Sequence, residues 1–270
     1  MAALPAAAPK PPRVFARFNA LGAASLFRRE VKRVLKEWPE TVIAPSFSSL
    51  LYVAVFVLAL GPERGTPEAE ALIGFVVPGL VVLTLILRAA ETTVFTILFD
   101  KLEGAISDVL MPPLQASELT IGYAAAGVAS ALMTMAPMLA IAILALDLPV
   151  ERPVVMAFFS VAGALMLALA GILMALWADK WDHAEAAFTF LLLPMAFLSG
   201  VFAPVESLPA VLEPIGRWNP VAAIVDGFRT GALGEGARPV ALNAALLIAW
   251  TAALGALAHR LIARGYKLRA

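Results

Sequence analysis

The side chains best placed to do chemistry are Asp179, Asp182, His183 and Glu185, four polar groups within seven positions between two long apolar blocks. Carboxylates three apart on a helix share one face and can hold a divalent metal, so Asp179 and Asp182 make a metal-dependent membrane enzyme one reading of the chain. A metal site of that kind needs a second carboxylate cluster, and the ordinary alternative is a hydrated turn carrying helix-start charges. Ser199-Gly200 with His183 or His259 offers a nucleophile and a base, but the serine lies near one membrane face and both histidines near the other, so no dyad can form. Cysteine is absent, which removes thiolate catalysis and disulfide frameworks. No G-x-x-x-x-G-K-[ST] phosphate loop occurs, so nucleotide energy would have to come from a second polypeptide.

The elements that would position these groups are set by composition. Of 270 residues, 61% are hydrophobic and 15% charged, and mean hydropathy is +0.87. A water-soluble domain could not bury that much apolar surface, and the apolar residues fall in blocks long enough to cross a hydrocarbon core of roughly 30 Å. Six spans are expected, at about 41–60, 72–87, 120–146, 154–178, 184–202 and 240–263. Their centres carry no ionisable residue, which argues against proton or sodium coupling. Pro78, Pro137 and Pro194 read as kinks without the duplicated pattern of inverted repeats.

Orientation follows from the basic residues. Of 20 Lys and Arg, only Arg64, Arg152, Arg217, Arg229 and Arg238 fall on one side of the six spans, and the rest fall on the other. That bias puts both termini in the cytoplasm. Residues 1–24, Ala/Pro-rich and without the apolar stretch of a signal peptide, read as a disordered cytoplasmic tail, and 264–270 as a second tail. The charge balance is zero, with no basic surplus for nucleic acid.

Three shorter elements stand out. Over 25–38, Phe27, Val31, Val34, Leu35 and Trp38 form an apolar stripe against a basic face, the pattern of a helix lying in the membrane interface until Pro39 turns it into the bilayer. Around 99–110, charged residues interleaved with Phe99, Leu102, Ile106, Val109 and Leu110 predict a cytoplasmic amphipathic helix stopped by Pro112 and Pro113, with Ser117 and Glu118 capping the next span. From 207 to 231, apolar runs separated by prolines predict a re-entrant hairpin in the outer leaflet, its second helix opened by Asn219-Pro220 and ended by Gly231.

The order of these elements resembles the permease subunit of ABC-2-type exporters over nearly the whole chain. Two stretches carry the resemblance: Asp100-Lys101-Leu102-Glu103-Gly104 through Pro112-Pro113, and Phe197-Leu198-Ser199-Gly200-Val201-Phe202-Ala203-Pro204 followed by Leu208-Pro209, Asn219-Pro220 and Asp226-Gly227-Phe228-Arg229. Met111 and the second proline, Pro113, depart from the family pattern. The resemblance implies an all-α integral membrane fold, with residues 25–263 as one transmembrane domain in the bacterial inner membrane. It implies a dimer, usually of two copies, clasped by two ATPase subunits that bind the ATP and Mg, while this chain binds no cofactor of its own. The family's coupling helix would correspond to Asp100, Lys101, Leu102, Glu103, Ile106 and Asp108, supported by Arg29, Arg33 and Glu37. Phe202, Leu208, Asn219, Pro220, Asp226 and Arg229 would belong to an outer gate. The implied cargo is an amphiphile: a lipid, a lipid-linked glycan or a hydrophobic small molecule. Few Tyr and Trp are present to stack on sugars, which favours the lipid or small molecule. A scaffold without transport is the third reading beside the exporter and the metal enzyme.

Overall fold

The computed structural model describes residues 18–59 and 66–268. Most of the tail expected over 1–24, the end of the first span at Leu60, and Arg269 and Ala270 of the second tail lie outside the described residues. Among those described, the chain is helical without strands. Its elements are α1 (Ala20–Lys36), α2 (Ala44–Ala59), α3 (Pro67–Leu102), α4 (Ile106–Leu110), α5 (Ala116–Ala145), α6 (Pro153–Trp177), α7 (Trp181–Ala187), α8 (Leu193–Phe197), α9 (Glu213–Trp218), α10 (Pro220–Leu233) and α11 (Val240–Ala263). One π-helical turn, Pro39–Ile43, leads into α2, and a second, Phe188–Leu192, joins α7 to α8. Four helices are long and apolar enough to cross a membrane: α3 from Ala71, α5, α6 and α11.

α3 is the centre of the molecule, packed on α5 and α6 and touched by α2 and α10. Its 36 residues rise roughly 54 Å, far more than a bilayer core requires. The span expected to end at residue 87 therefore runs on to Leu102. Nothing between 88 and 102 breaks a helix, and Ala89, Ala90, Val94, Ile97 and Leu98 are buried on its inner face. Arg88 and Glu91 consequently lie within this helix rather than in a connecting segment.

Close approach to α3 depends on small residues facing it. Thr93 lies between Gly127 of α5 and Gly171 of α6, and a Cβ at Gly171 would stand 2.1 Å from Thr93 Oγ1 and 2.4 Å from the Ala90 carbonyl. With that space left empty, Thr93 Oγ1 donates to the Ala168 carbonyl at 3.0 Å. Polar pairs add to the joints: Thr92 Oγ1 to Ser130 Oγ at 2.9 Å, and Ser46 Oγ of α2 to the Thr134 carbonyl of α5 at 2.8 Å. Where lipid gives no hydrophobic incentive for helices to associate, small-residue contact and interhelical hydrogen bonds supply the driving force.

Other boundaries move for identifiable reasons. The interfacial helix begins at Ala20 rather than residue 25, because Asn19 caps it by accepting from the Gly22 N–H at 2.9 Å. Its buried face is Ala23, Leu26, Glu30 and Val34, whereas Leu35 and Trp38 of the expected stripe are exposed. α5 starts at Ala116, so Glu118 occupies the first turn and accepts from the Gln115 N–H at 2.8 Å, and Ser117 is not the cap. The fifth apolar block forms α7 and α8, ending at Phe197 rather than residue 202, since Gly200 (φ +85°) turns the chain there.

Gly171→Ala is expected to lower the thermal midpoint of the detergent-solubilised protein by the equivalent of about 1–3 kcal/mol, the usual penalty for overfilling a packed contact. Gly74→Ala, whose added Cβ would meet nothing within 4 Å, should leave that midpoint unchanged.

Candidate functional site

The two ends of the helix bundle hold the residues singled out from the sequence. At one end α3 finishes with Asp100, Lys101 and Leu102, and Gly104 in a left-handed conformation (φ +74°) turns the chain into the five-residue α4. The helix expected over 99–110 is thus two pieces with a glycine elbow between them. Val109 is buried and Ile106 partly so, packing α4 down on the bundle, while Glu103, Ser107, Asp108 and Leu110 face outward.

Asp100 and Lys101 point into the protein, in different directions. The Asp100 side chain, 1% exposed, accepts from Arg29 Nη2 at 2.6 Å and Arg33 Nη2 at 3.1 Å. Glu30, equally buried, pairs with Arg29 at 2.5 Å and with Arg33 at 3.3 Å. Two carboxylates and two guanidiniums therefore weld α1 to the end of α3. Burial opposes the charge on Arg29, yet the attraction of Glu30 and Asp100 outweighs it and raises the Arg29 pKa above its ordinary value. A second joint lies beside the first. Glu118, fully buried, accepts from the backbone N–H groups of both Asn19 and Gln115 and so satisfies donors at the starts of α1 and α5 together.

Lys101 Nζ instead donates to the carbonyls of Ala175 at 2.9 Å and Ala178 at 2.6 Å, where α6 ends. Lys267 Nζ adds the Trp177 carbonyl at 2.8 Å. The last carbonyls of a helix lack intrahelical partners and carry the negative end of its dipole, which explains why two ammonium groups gather there. Of the residues assigned to the coupling segment, Arg29, Arg33, Asp100 and Lys101 are thus internal joints. Leu102, Glu103 and Asp108 are accessible, and so is Glu37 at the end of α1.

The carboxylates of the metal reading are already engaged: Asp179 with Lys267 at 2.6 Å, and Asp182 with Lys180 at 3.3 Å. The hydrogen bond from Lys267 holds the Asp179 pKa below the usual carboxylate range. Among the described residues, no three His, Asp or Glu side chains converge as a metal site would require.

At the other end of the bundle, Asn219 opens α10 by accepting from the Val221 N–H at 2.9 Å and ties it to α8 by donating to the Met195 carbonyl at 2.5 Å. The helix continues past the expected stop and ends at Gly234 (φ +82°), because Gly231 packs against the Met156 backbone instead of turning the chain. The apolar run expected to form a helix from Leu208 is a turn up to Leu212, followed by α9. Pro220 to Ala232 are buried throughout. Asp226 accepts from the N–H groups of Ala237 at 2.7 Å and Arg238 at 3.0 Å and from Asn243 Nδ2 at 2.7 Å, fastening the loop before α11. Arg229 donates to the carbonyls of Phe75 at 3.1 Å and Gly200 at 2.9 Å, and its guanidinium lies 3.7 Å from the centre of the Phe75 ring. Phe202 stacks on Phe197 at 5.4 Å, and Leu208 contacts the Cα side of Gly216. Asp226 and Arg229, with Phe75, Gly200, Ala237 and Arg238, line a cavity of about 50 Å³.

Residues 23–233 match the model of the family described as ABC-2 type transporter. The chain belongs to this family. Among its relatives is the inner membrane transport permease YadH of Escherichia coli strain K12, 28% identical over 245 residues that cover 91% of this chain and 96% of that protein. Another is the E. coli K12 protein named probable multidrug ABC transporter permease YbhR, 24% identical over 192 residues, which are 70% of this chain and 52% of the relative. The chain is accordingly an ABC-2 transport permease subunit, multi-pass and helical, from a family whose general partner is an ABC ATPase. Asn19 and Glu30 had escaped notice in the sequence, and Glu118 was read only as a cap of its own helix. Of the first two only Asn19 left a local signal, a capping residue ahead of the helical pattern.

Asp100→Asn should weaken the seating of α1 by about 2 kcal/mol, since two charge-assisted bonds lose their acceptor charge. Hydrogen exchange would report this as faster exchange over residues 20–36 with α10 unaffected, and Glu37→Gln should change neither.

Proposed function

We propose that this chain is the membrane half of an ATP-driven exporter in a bacterial inner membrane. It works as a dimer with two separate ATPase subunits, which grip the elbow formed by the end of α3 and α4. The observation that carries the reading is the arrangement of that elbow. Its inward side chains are bonded to α1 and α6, and its outward side presents Leu102 (43% exposed) and Met111 (77% exposed) beside the acidic Glu103 and Asp108. A surface that is apolar and charged, short, and rigidly joined to three helices can receive a push from a partner and pass it on.

The topology supporting this reading has six crossings. α2 with its leading π turn rises roughly 30 Å, and α7 with α8 roughly 25 Å, so each can reach across beside α3, α5, α6 and α11. An even number places both termini on one side, and the Lys/Arg bias makes that side cytoplasmic. The α9–α10 segment then lies at the outer face as a re-entrant hairpin, with Asp226 and Arg229 bracing it. ATP binding would draw the two elbows together, and the tilt of α3 and α6 would open a path between the two copies. The cargo is an amphiphile carried from the inner leaflet. The metal-enzyme reading loses support because Asp179 and Asp182 spend their charge on lysines.

Co-expression with its ATPase tests the assignment. The double variant Glu103→Arg with Asp108→Arg should fold with an unchanged thermal midpoint yet fail to co-purify with the ATPase, and vesicles bearing the pair should lose ATP-driven export. Full assembly by that variant would refute the elbow as the docking surface.

A further inference from the structure

The unbroken course of α3 places a charged pair, Arg88 and Glu91, on a continuous helix of the bundle. Thr92 bonds Ser130 near the middle of the 30-residue α5, and Thr93 bonds Ala168 near the middle of the 25-residue α6. Arg88 and Glu91 lie within a turn or so of that level, and Glu91 is one turn before Phe95, whose ring touches Trp181 at the start of α7. Arg88 Nη1 donates to Glu91 Oε2 at 2.9 Å, and the Glu91 side chain is 55% exposed.

What Glu91 faces is a groove of about 430 Å³ between α3 and the α7–α8 segment. Phe95, Trp181 and Phe188 form its aromatic walls, with Phe95 and Trp181 in ring contact at 5.4 Å. Glu185 contributes a second carboxylate, exposed and in no ion pair among the described residues. The π turn at Phe188–Leu192 forms part of the same wall, the kind of helix irregularity that re-aims side chains at a binding site. Aromatic faces and carboxylates converging in a dry-walled groove share one chemical preference: both attract a cation, the rings through their quadrupoles and the carboxylates by charge. Arg88 lies behind Glu91, holds it in place, and is absent from the groove lining.

We propose that the groove between α3 and α7–α8 binds a hydrophobic organic cation, with Glu91 and Glu185 as its counter-charges and Phe95, Trp181 and Phe188 as its walls. This rests on the exporter reading and names the cargo class. The groove extends from Trp181 at the start of α7 toward Leu193, so an amphiphilic cation would enter from the Asp100 end of the bundle.

The full-length permease, without ATPase, in phosphatidylcholine nanodiscs would be dialysed against tetraphenylphosphonium, with empty nanodiscs as the blank. Triphenylphosphine oxide, an uncharged molecule carrying similar rings, serves as the second probe. Saturable binding of the cation is expected, with affinity falling about tenfold in Glu185→Gln and in Glu91→Gln, and with much weaker binding of the neutral probe. Glu185→Gln keeps the test decisive if loss of the Arg88 partner unfolds Glu91→Gln. Equal affinity for both probes would overturn the proposal, and so would cation binding indifferent to both substitutions. Absence of saturable cation binding, as when a second copy of the chain fills the groove, would overturn it too. Because no ATPase is present, these outcomes are independent of whether the elbow docks one.

Discussion

Two adjacent side chains at the end of α3 hold the architecture together. Asp100 reaches to α1 and Lys101 to the end of α6, so one turn of helix is bonded to both an interfacial element and a membrane-crossing one. Each partner supplies what the other element lacks. α1 brings two guanidiniums that need a buried anion, and α6 brings carbonyls that need a donor. Buried ion pairs of this sort add little net stability compared with apolar packing, but they fix geometry, because any displacement strands a desolvated charge. A segment intended to transmit a push gains from that intolerance of misalignment.

The same logic divides the accessible from the inaccessible residues. Had Asp100 and Lys101 faced outward with Glu103 and Asp108, the elbow would be a charged flap able to bind without moving anything. Since they face inward, a force applied at Leu102, Glu103 or Met111 would be passed to α3, which is wedged between Gly127 and Gly171 and has little freedom to slide. At the far end Arg229 bridges Phe75 of α3 and Gly200 of the turn after α8, so motion of α3 is felt there as well.

Much of this was legible in the residues. Block length against bilayer thickness located the apolar helices, and Asn219-Pro220 marked the start of α10 because a capping side chain and a proline with fixed φ act locally. The apolar block at about 240–263 coincides with the helix α11. Features set by tertiary contact were not legible. Gly231 looks like a helix stop in sequence, yet its missing Cβ makes room for the Met156 backbone, and the true stop is three residues later. Asp100 and Lys101 read as surface charges because their partners are remote in sequence, at Arg29, Arg33, Ala175 and Ala178. Arg88 and Glu91 fall just beyond the span expected at 72–87, and the packing of α3 on α5 and α6 carries the helix past them.

That last misreading is instructive about energetics. A hydrophobicity profile cuts α3 at residue 87 since it treats each side chain as if lipid surrounded it. The helix continues because Ala89, Ala90, Val94 and Leu98 are buried against neighbours, and of the two charged residues only Glu91 is left substantially exposed. Pairing Arg88 with Glu91 at i, i+3 neutralises net charge but cannot satisfy every polar atom, and Arg88 Nε remains buried without a partner. A helix carrying such a pair holds a polar feature that apolar residues would remove. Glu91, on the side of the helix lined with aromatic rings, is the member of the pair left open to a partner from outside the helix.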